Sequence, residues 1–161
     1  MRDMTRLSAK LCYMAGLYSK SNRKHKSLVC VNTGIEELRD RFVEIAVNEL
    51  DVEPNKIMLD KEEVSAGFYH SRISKQLANI VARETYVFKT VNEFSKNYLA
   101  GIFDISGHIK DGTLQIRHIT PRDAMMLENL GIHTKGDNIL NVGAFIGLIK
   151  GISIVEGRIP R

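Results

Sequence analysis

A chain of 161 residues fits one compact domain or two small halves sharing a core. Its 43% apolar and 26% charged residues are the balance of a soluble globular protein, and no apolar run is long enough to cross a bilayer. The longest, residues 139–154, is interrupted by Asn141, Lys150 and several glycines. The N-terminus shows no secretory pattern, and Cys12 and Cys30 read as buried free thiols, so the expected compartment is the reducing cytoplasm. The net charge of +4 is segregated: residues 1–26 hold seven Lys/Arg against one acid, 36–63 four against ten, and 64–161 twelve against eight. Counterion release needs a local basic surface rather than a net total, so this pattern leans modestly toward nucleic acid.

In chain order, Leu7, Leu11, Met14 and Tyr18 form one helical stripe. A strand over 27–32 follows, then a helix over 35–50 with Leu38, Phe42, Ile45 and Leu50 inward, opened by Thr33 and Glu36 as an N-terminal cap signature. Pro54-Asn55 breaks the chain; short strands are predicted at 56–59 and 64–69, and a helix at 73–83. Val91, Phe94, Tyr98 and Ile102 make a second stripe. After it comes a hairpin whose Asp111-Gly112 turn suits type I′. Thr120 and Asp123 around Pro121 start a helix over 121–130. Strands at 132–134 and 139–142 and a glycine-weakened helix at 144–152 complete the chain.

These elements repeat. Tyr13-Met14-Ala15-Gly16-Leu17-Tyr18 matches Tyr98-Leu99-Ala100-Gly101-Ile102-Phe103, 85 residues later. Ser27-Leu28-Val29-Cys30-Val31 matches Thr113-Leu114-Gln115-Ile116-Arg117 at an offset of 86, and the two cap signatures follow. Residues 1–85 and 86–161 therefore read as two αββαββα copies, and with no linker between them they are expected to form one joined unit.

Leu99-Ala100-Gly101-Ile102-Phe103-Asp104-Ile105-Ser106-Gly107 resembles the nine-residue signature of the LAGLIDADG homing endonuclease family, with five positions identical. Residues 14–22 hold the same place in the first copy, with Ala15, Gly16 and Leu17 identical. The shared element order extends the resemblance over essentially the whole chain. It implies an α+β fold of two repeats about a pseudo-two-fold axis, antiparallel sheets forming a saddle, and a pseudo-symmetric monomer. Independently of the family, two helices that cross closely need small residues at the contact, and Ala15, Gly16, Ala100 and Gly101 supply them in both copies.

In active members of that family the eighth signature position is an acid, and the pair holds divalent metal against the scissile phosphates. Here those positions are Ser21 and Ser106. No catalytic residue and no cofactor is therefore predicted; Mg²⁺ would matter only if residual endonuclease activity survived through the sixth-position acid, Asp104, whose counterpart is Ser19. Asp104 reads instead as structural. Two serines do not repel phosphate as two carboxylates would, so nucleic-acid binding should be independent of Mg²⁺.

The resemblance also places duplex DNA on the concave face of the sheets. Period-2 alternation turns Thr113, Gln115 and Arg117 away from Leu114, Ile116 and His118, and Gln and Arg can contact base edges in pairs. A solvated strand face is the ordinary alternative. Lys110 is a candidate phosphate contact, as are Lys20, Arg23, Lys24 and Lys26 in a basic run with His25, and Arg72 and Lys75. The matching outward positions of the first copy, Ser27, Val29 and Val31, are largely apolar; either binding is uneven, or the Val29/Val31 face serves a protein partner. His108 reads as a plain strand residue, and no aromatic stacking platform for single strands is evident. The expected function is a nuclease-inactive nucleic-acid-binding protein, duplex DNA favoured over RNA and no membrane partner. The alternatives are a maturase-like RNA splicing factor, a residual metal-dependent endonuclease, and a protein-interaction module.

Overall fold

A computed structural model describes residues 6–23, 25–60, 62 and 64–155. The elements are α1 (Ala9–Lys20), β1 (Leu28–Asn32), α2 (Glu36–Asn48), β2 (Met58–Asp60), β3 (Ser65–Tyr69), α3 (Ser71–Ala82), α4 (Glu84–Val87), α5 (Glu93–Ser106), β4 (Gly107–Lys110), β5 (Thr113–Ile116), α6 (Pro121–Asn129), β6 (Thr134–Lys135), β7 (Asn138–Ile139) and α7 (Val142–Ile149). They build two antiparallel sheets, one ordered β1-β3-β2 and the other β4-β5-β7-β6. Residues 93–149 follow αββαββα order, whereas the described residues before them form three strands rather than four. No helix among the described residues is long and apolar enough to cross a membrane.

Two helices make the centre. Every residue of α1 from Leu11 to Tyr18 is buried, and so is every residue of α5 from Asn97 to Ser106. A helix buried all round needs close neighbours on every side, and α1 packs against α5, α3, α2 and β1. Where α1 and α5 cross, the backbones touch. A Cβ on Gly16 would lie 2.8 Å from the Ile102 nitrogen and 3.0 Å from the Cα of Gly101, while one on Gly101 would lie 3.1 Å from the Cα of Gly16. No side chain fits between them.

The local signals were met unevenly. Thr120 and Asp123 form a reciprocal capping box at the start of α6. Asp111 (φ 54°) and Gly112 (φ 76°) supply the two left-handed residues of a type I′ hairpin turn. Helix α5 opens on a box the sequence reading missed, Asn92 with Ser95, so Val91 precedes the helix and is 47% exposed rather than a stripe residue. At α2 the expected cap is corrected: Ile35 is the N-cap and has no side-chain bond, and the Thr33 hydroxyl accepts from the Ile35 N–H at 3.1 Å. Glu36 is then the first helical residue, where with Glu37 it favours the helix dipole instead of closing a box.

Strand parity supplies the main correction. Val29 and Val31 are 1% and 0% exposed and face the core with Ala66 and Phe68. Leu28, Cys30 and Asn32 share the other face with their partners Tyr69, Gly67 and Ser65. The offset of 86 aligned Val29 with an outward residue of the second copy, one residue out of step, and such a slip exchanges the two faces of a strand. The apolar Val29/Val31 surface expected to serve a protein partner is core packing.

Candidate nucleic-acid interface

Helices α1 and α5 end side by side, and a cleft of about 450 Å³ lies at those ends, lined by Lys20, Ser21, Asn22, Asn32, Ile105, Ser106, Arg117 and His118. Its two serines are the eighth signature positions. Both hydroxyls turn back on their own helices: Ser21 donates to the Tyr18 carbonyl at 3.1 Å, and Ser106, 3% exposed, donates to the Ile102 carbonyl at 2.6 Å. Neither is paired with a base that would activate it. Among the described residues no group of three or more His, Cys, Asp or Glu is placed to hold a metal ion.

A cation stands at each helix end instead. The last carbonyls of a helix carry the negative end of its dipole and accept no helical hydrogen bond. Arg23 donates to the Tyr18 carbonyl and, at 3.0 Å, to Ser21 Oγ, with its guanidinium 3.6 Å over the Tyr18 ring. Arg117 donates to the Ile105 carbonyl of α5 at 2.8 Å. Each of these bonds engages one terminal nitrogen of a guanidinium that carries five donors.

Arg117 follows β5 directly, and its N–H donates to the Ser106 carbonyl at 3.1 Å, which sets it against the end of α5. Strand β5 ends at Ile116, and His118 adopts a left-handed φ of 56°, a conformation held by the Asp137 carboxylate, which accepts from the His118 and Ile119 N–H groups at 3.2 and 2.9 Å. The alternation holds through Arg117, which is exposed where Leu114 and Ile116 are buried, and its guanidinium meets the end of α5.

Lys20 turns toward α6. Its ammonium lies 2.6 Å from Asp123 and donates to the His118 carbonyl at 2.9 Å, and the two charged side chains are only 9% and 8% exposed. Its charge is committed to this internal pair, while its side chain still lines the cleft. Behind it lies a buried acid that sequence reasoning missed. Glu84, 0% exposed, accepts from the Tyr98 hydroxyl at 2.6 Å. Burial, reinforced by the neighbouring Asp123, pushes its carboxyl up to about 8, partly opposed by Arg122 at 3.7 Å. Burial acts against ionised Asp123 too, but hydrogen bonds from Glu84, Lys20 and the Thr120 backbone outweigh it and hold that carboxyl down to about 2. Nothing local in the sequence marks Glu84, since its partners come from α5 and α6.

Asp104 does not line the cleft. It is 4% exposed and accepts from the Tyr13 hydroxyl, from Ser153 Oγ at 2.5 Å, and from the Ile154 and Val155 N–H groups at 3.0 and 3.3 Å.

Of the remaining predicted contacts, Lys110, Thr113 and Gln115 share one face of the β4-β5 hairpin with His108, opposite buried Leu114 and Ile116. Gln115 donates to Asn138 on β7 at 2.6 Å, which fixes its amide. Lys26 is exposed in the loop before β1, and Arg72 and Lys75 are exposed on the first turn of α3. Lys24 lies outside the described residues.

Neither a protein-family model nor a curated protein sequence matches the chain. A solved structure does: that of I-DmoI, a LAGLIDADG homing endonuclease, in complex with DNA and Mn. It superposes with a TM-score of 0.61 over 94% of this chain and 100% of that one, at 16% sequence identity. The likeness is one of fold, an α+β architecture with two antiparallel sheets.

Proposed function

We propose that this protein is a nuclease-inactive nucleic-acid-binding protein that holds duplex DNA along its sheets and over the cleft, using arginine where the resemblance places metal-binding acids. The observation that carries the reading is the pair of guanidiniums, Arg23 at the end of α1 and Arg117 at the end of α5, beside serines that face back into their helices. A fixed guanidinium binds phosphate oxygens without metal. The fold supports the choice of ligand, since I-DmoI was solved with DNA and Mn. In this reading Lys110, Thr113 and Gln115 meet the duplex on one sheet, while Lys26, Arg72 and Lys75 lie against backbone phosphates. Residues 1–85 and 86–161 act as two repeats of a pseudo-symmetric monomer in the cytoplasm.

The test is fluorescence anisotropy with labelled duplex DNA and structured RNA, titrated across salt with Mg²⁺ and with chelator. Salt-sensitive duplex binding unchanged by chelator is expected. Arg117→Ala should weaken it about tenfold and lower the salt slope by about one. Affinity that collapses in chelator, or no duplex binding near physiological salt, contradicts the reading; preference for RNA favours the splicing-factor alternative.

A further inference from the structure

The outward face of the β1-β3-β2 sheet differs in kind from that of the hairpin bearing Gln115. Register puts Leu28 opposite Tyr69, and Cys30 and Met58 on either side of Gly67. Tyr69 is 57% exposed and Met58 45%. A base pair in the major groove is distinguished by its donors and acceptors, which Leu28, Cys30, Gly67 and Met58 cannot match beyond a weak thiol bond. The Cys30 thiol is itself turned toward Asn22 and Asn32, at 3.6 and 3.7 Å. Cys30 and Gly67 are buried in the middle of this face, where the strands approach so closely that a Cβ on Gly67 would lie 2.9 Å from Cys30 Cβ, so its open side chains are those of Tyr69 and Met58.

The aromatic edge of this surface is organised. The His25 ring packs edge-on against Tyr69 with centroids 5.8 Å apart and planes at 72°, and the Ser27 N–H donates to His25 Nδ1 at 3.1 Å, tying the loop in place. Basic side chains flank the pair on both sides in the chain: Lys26 follows His25, and Lys75 stands on the helix that follows Tyr69. The same strand leads to the cleft. Asn32 lines it, four residues along β1 from Leu28, a span of about 13 Å or roughly four stacked nucleotide steps. An exposed aromatic ring with apolar neighbours, on a strand pair that leads to the cleft, suits an unpaired base that stacks by its face rather than a paired base read by its edge.

We propose that the Tyr69–His25 edge of the N-terminal sheet is a stacking site for an unpaired nucleotide next to the duplex, so that the protein favours DNA with an extrahelical base over a perfect duplex. This rests on the reading of the cleft as a phosphate site. The two rings are 44 residues apart in the chain and meet only in the fold, so no such platform is evident in the sequence.

The experiment compares a perfect DNA duplex with the same duplex carrying a two-nucleotide bulge, by anisotropy, for the parent protein, Tyr69→Ala, Tyr69→Phe and Arg117→Ala. The bulged probe should bind about tenfold more tightly, Tyr69→Ala should abolish that preference, and Tyr69→Phe should keep it, on the scale of one base–aromatic stack. Arg117→Ala should weaken both probes alike. Equal binding of the two probes, or a preference that survives in Tyr69→Ala, overturns the stacking site; if duplex binding then still depends on Arg117, the proposed function stands without it. No binding of either probe overturns both.

Discussion

The hydroxyl of Tyr13 on α1 donates to the carboxylate of Asp104 on α5, 91 residues away, and both side chains are buried. The same carboxylate gathers the three donors of Ser153, Ile154 and Val155 that follow α7. Asp104 thus joins the two central helices and the segment after the last one.

Removing it should be costly. Asp104→Ala leaves several buried donors unpaired, at about 1–3 kcal/mol each before relaxation. A loss of about 3 kcal/mol, or about 6–12 °C in melting temperature at this chain length, is expected. Thermal unfolding checks it, and a change under 1 °C would count against the structural role. The parent protein should not nick DNA in Mg²⁺ or Mn²⁺; metal-dependent nicking lost in Asp104→Asn would instead restore the nuclease reading.

Gly16→Ala or Gly101→Ala should cost about 3 kcal/mol or more, because the obstructing atoms are backbone and cannot rotate away. Helix propensity alone predicts the opposite sign, a gain of about 1 kcal/mol. Gly147 on α7 is the control: it is exposed and a Cβ there meets nothing within 4 Å, so Gly147→Ala should stabilise by up to about 1 kcal/mol. Urea midpoints of the three variants separate the two effects.

Stability should fall as pH rises from about 4.5 toward about 8. Above its ordinary value of 4.5, Glu84 loses its proton in the unfolded chain while the native protein keeps it up to about 8. Asp123 acts in reverse: its contribution is complete above 3.8 and is lost as pH falls toward about 2. Glu84→Gln can still accept from Tyr98 but cannot ionise. Its urea midpoint should stay level between pH 5 and pH 8 while the parent's declines; parallel declines would show that another group is responsible.

Ser21→Asp should make binding respond to metal. A carboxylate in the cleft opposes phosphate when no metal is present. Duplex affinity in chelator should drop about tenfold, with Mg²⁺ recovering part of it. Unchanged affinity in chelator would place the phosphate elsewhere.

Much of the scaffold was legible because its signals are local. Most of the α1 and α5 stripes, the Asp111-Gly112 turn and the Thr120 box each depend on residues a few positions apart, and the structure has them; Leu7 and Val91 lie just ahead of the caps Ser8 and Asn92. Thr33 shows the margin of such rules: the helix started two residues later than a true box requires, and the threonine capped the loop instead. Val29 and Val31 show another, since apolar strand residues do not say which way they face until the sheet is placed on its helices.

By itself the sequence determined the order of the elements over 93–149, the duplicated Ala-Gly pairs and the serines at positions 21 and 106, all facts of identity and spacing. Only the tertiary structure decided what the charged groups do. Lys20 was taken inside by Asp123, 103 residues away; Asp104 was turned to the segment after α7; and Arg117 was set against the end of α5 by pairing with Ser106. The reason is physical: a charge is committed by whichever partner lies within about 3 Å once the chain has folded, and the strength of that commitment depends on burial. Neither quantity exists in the unfolded chain.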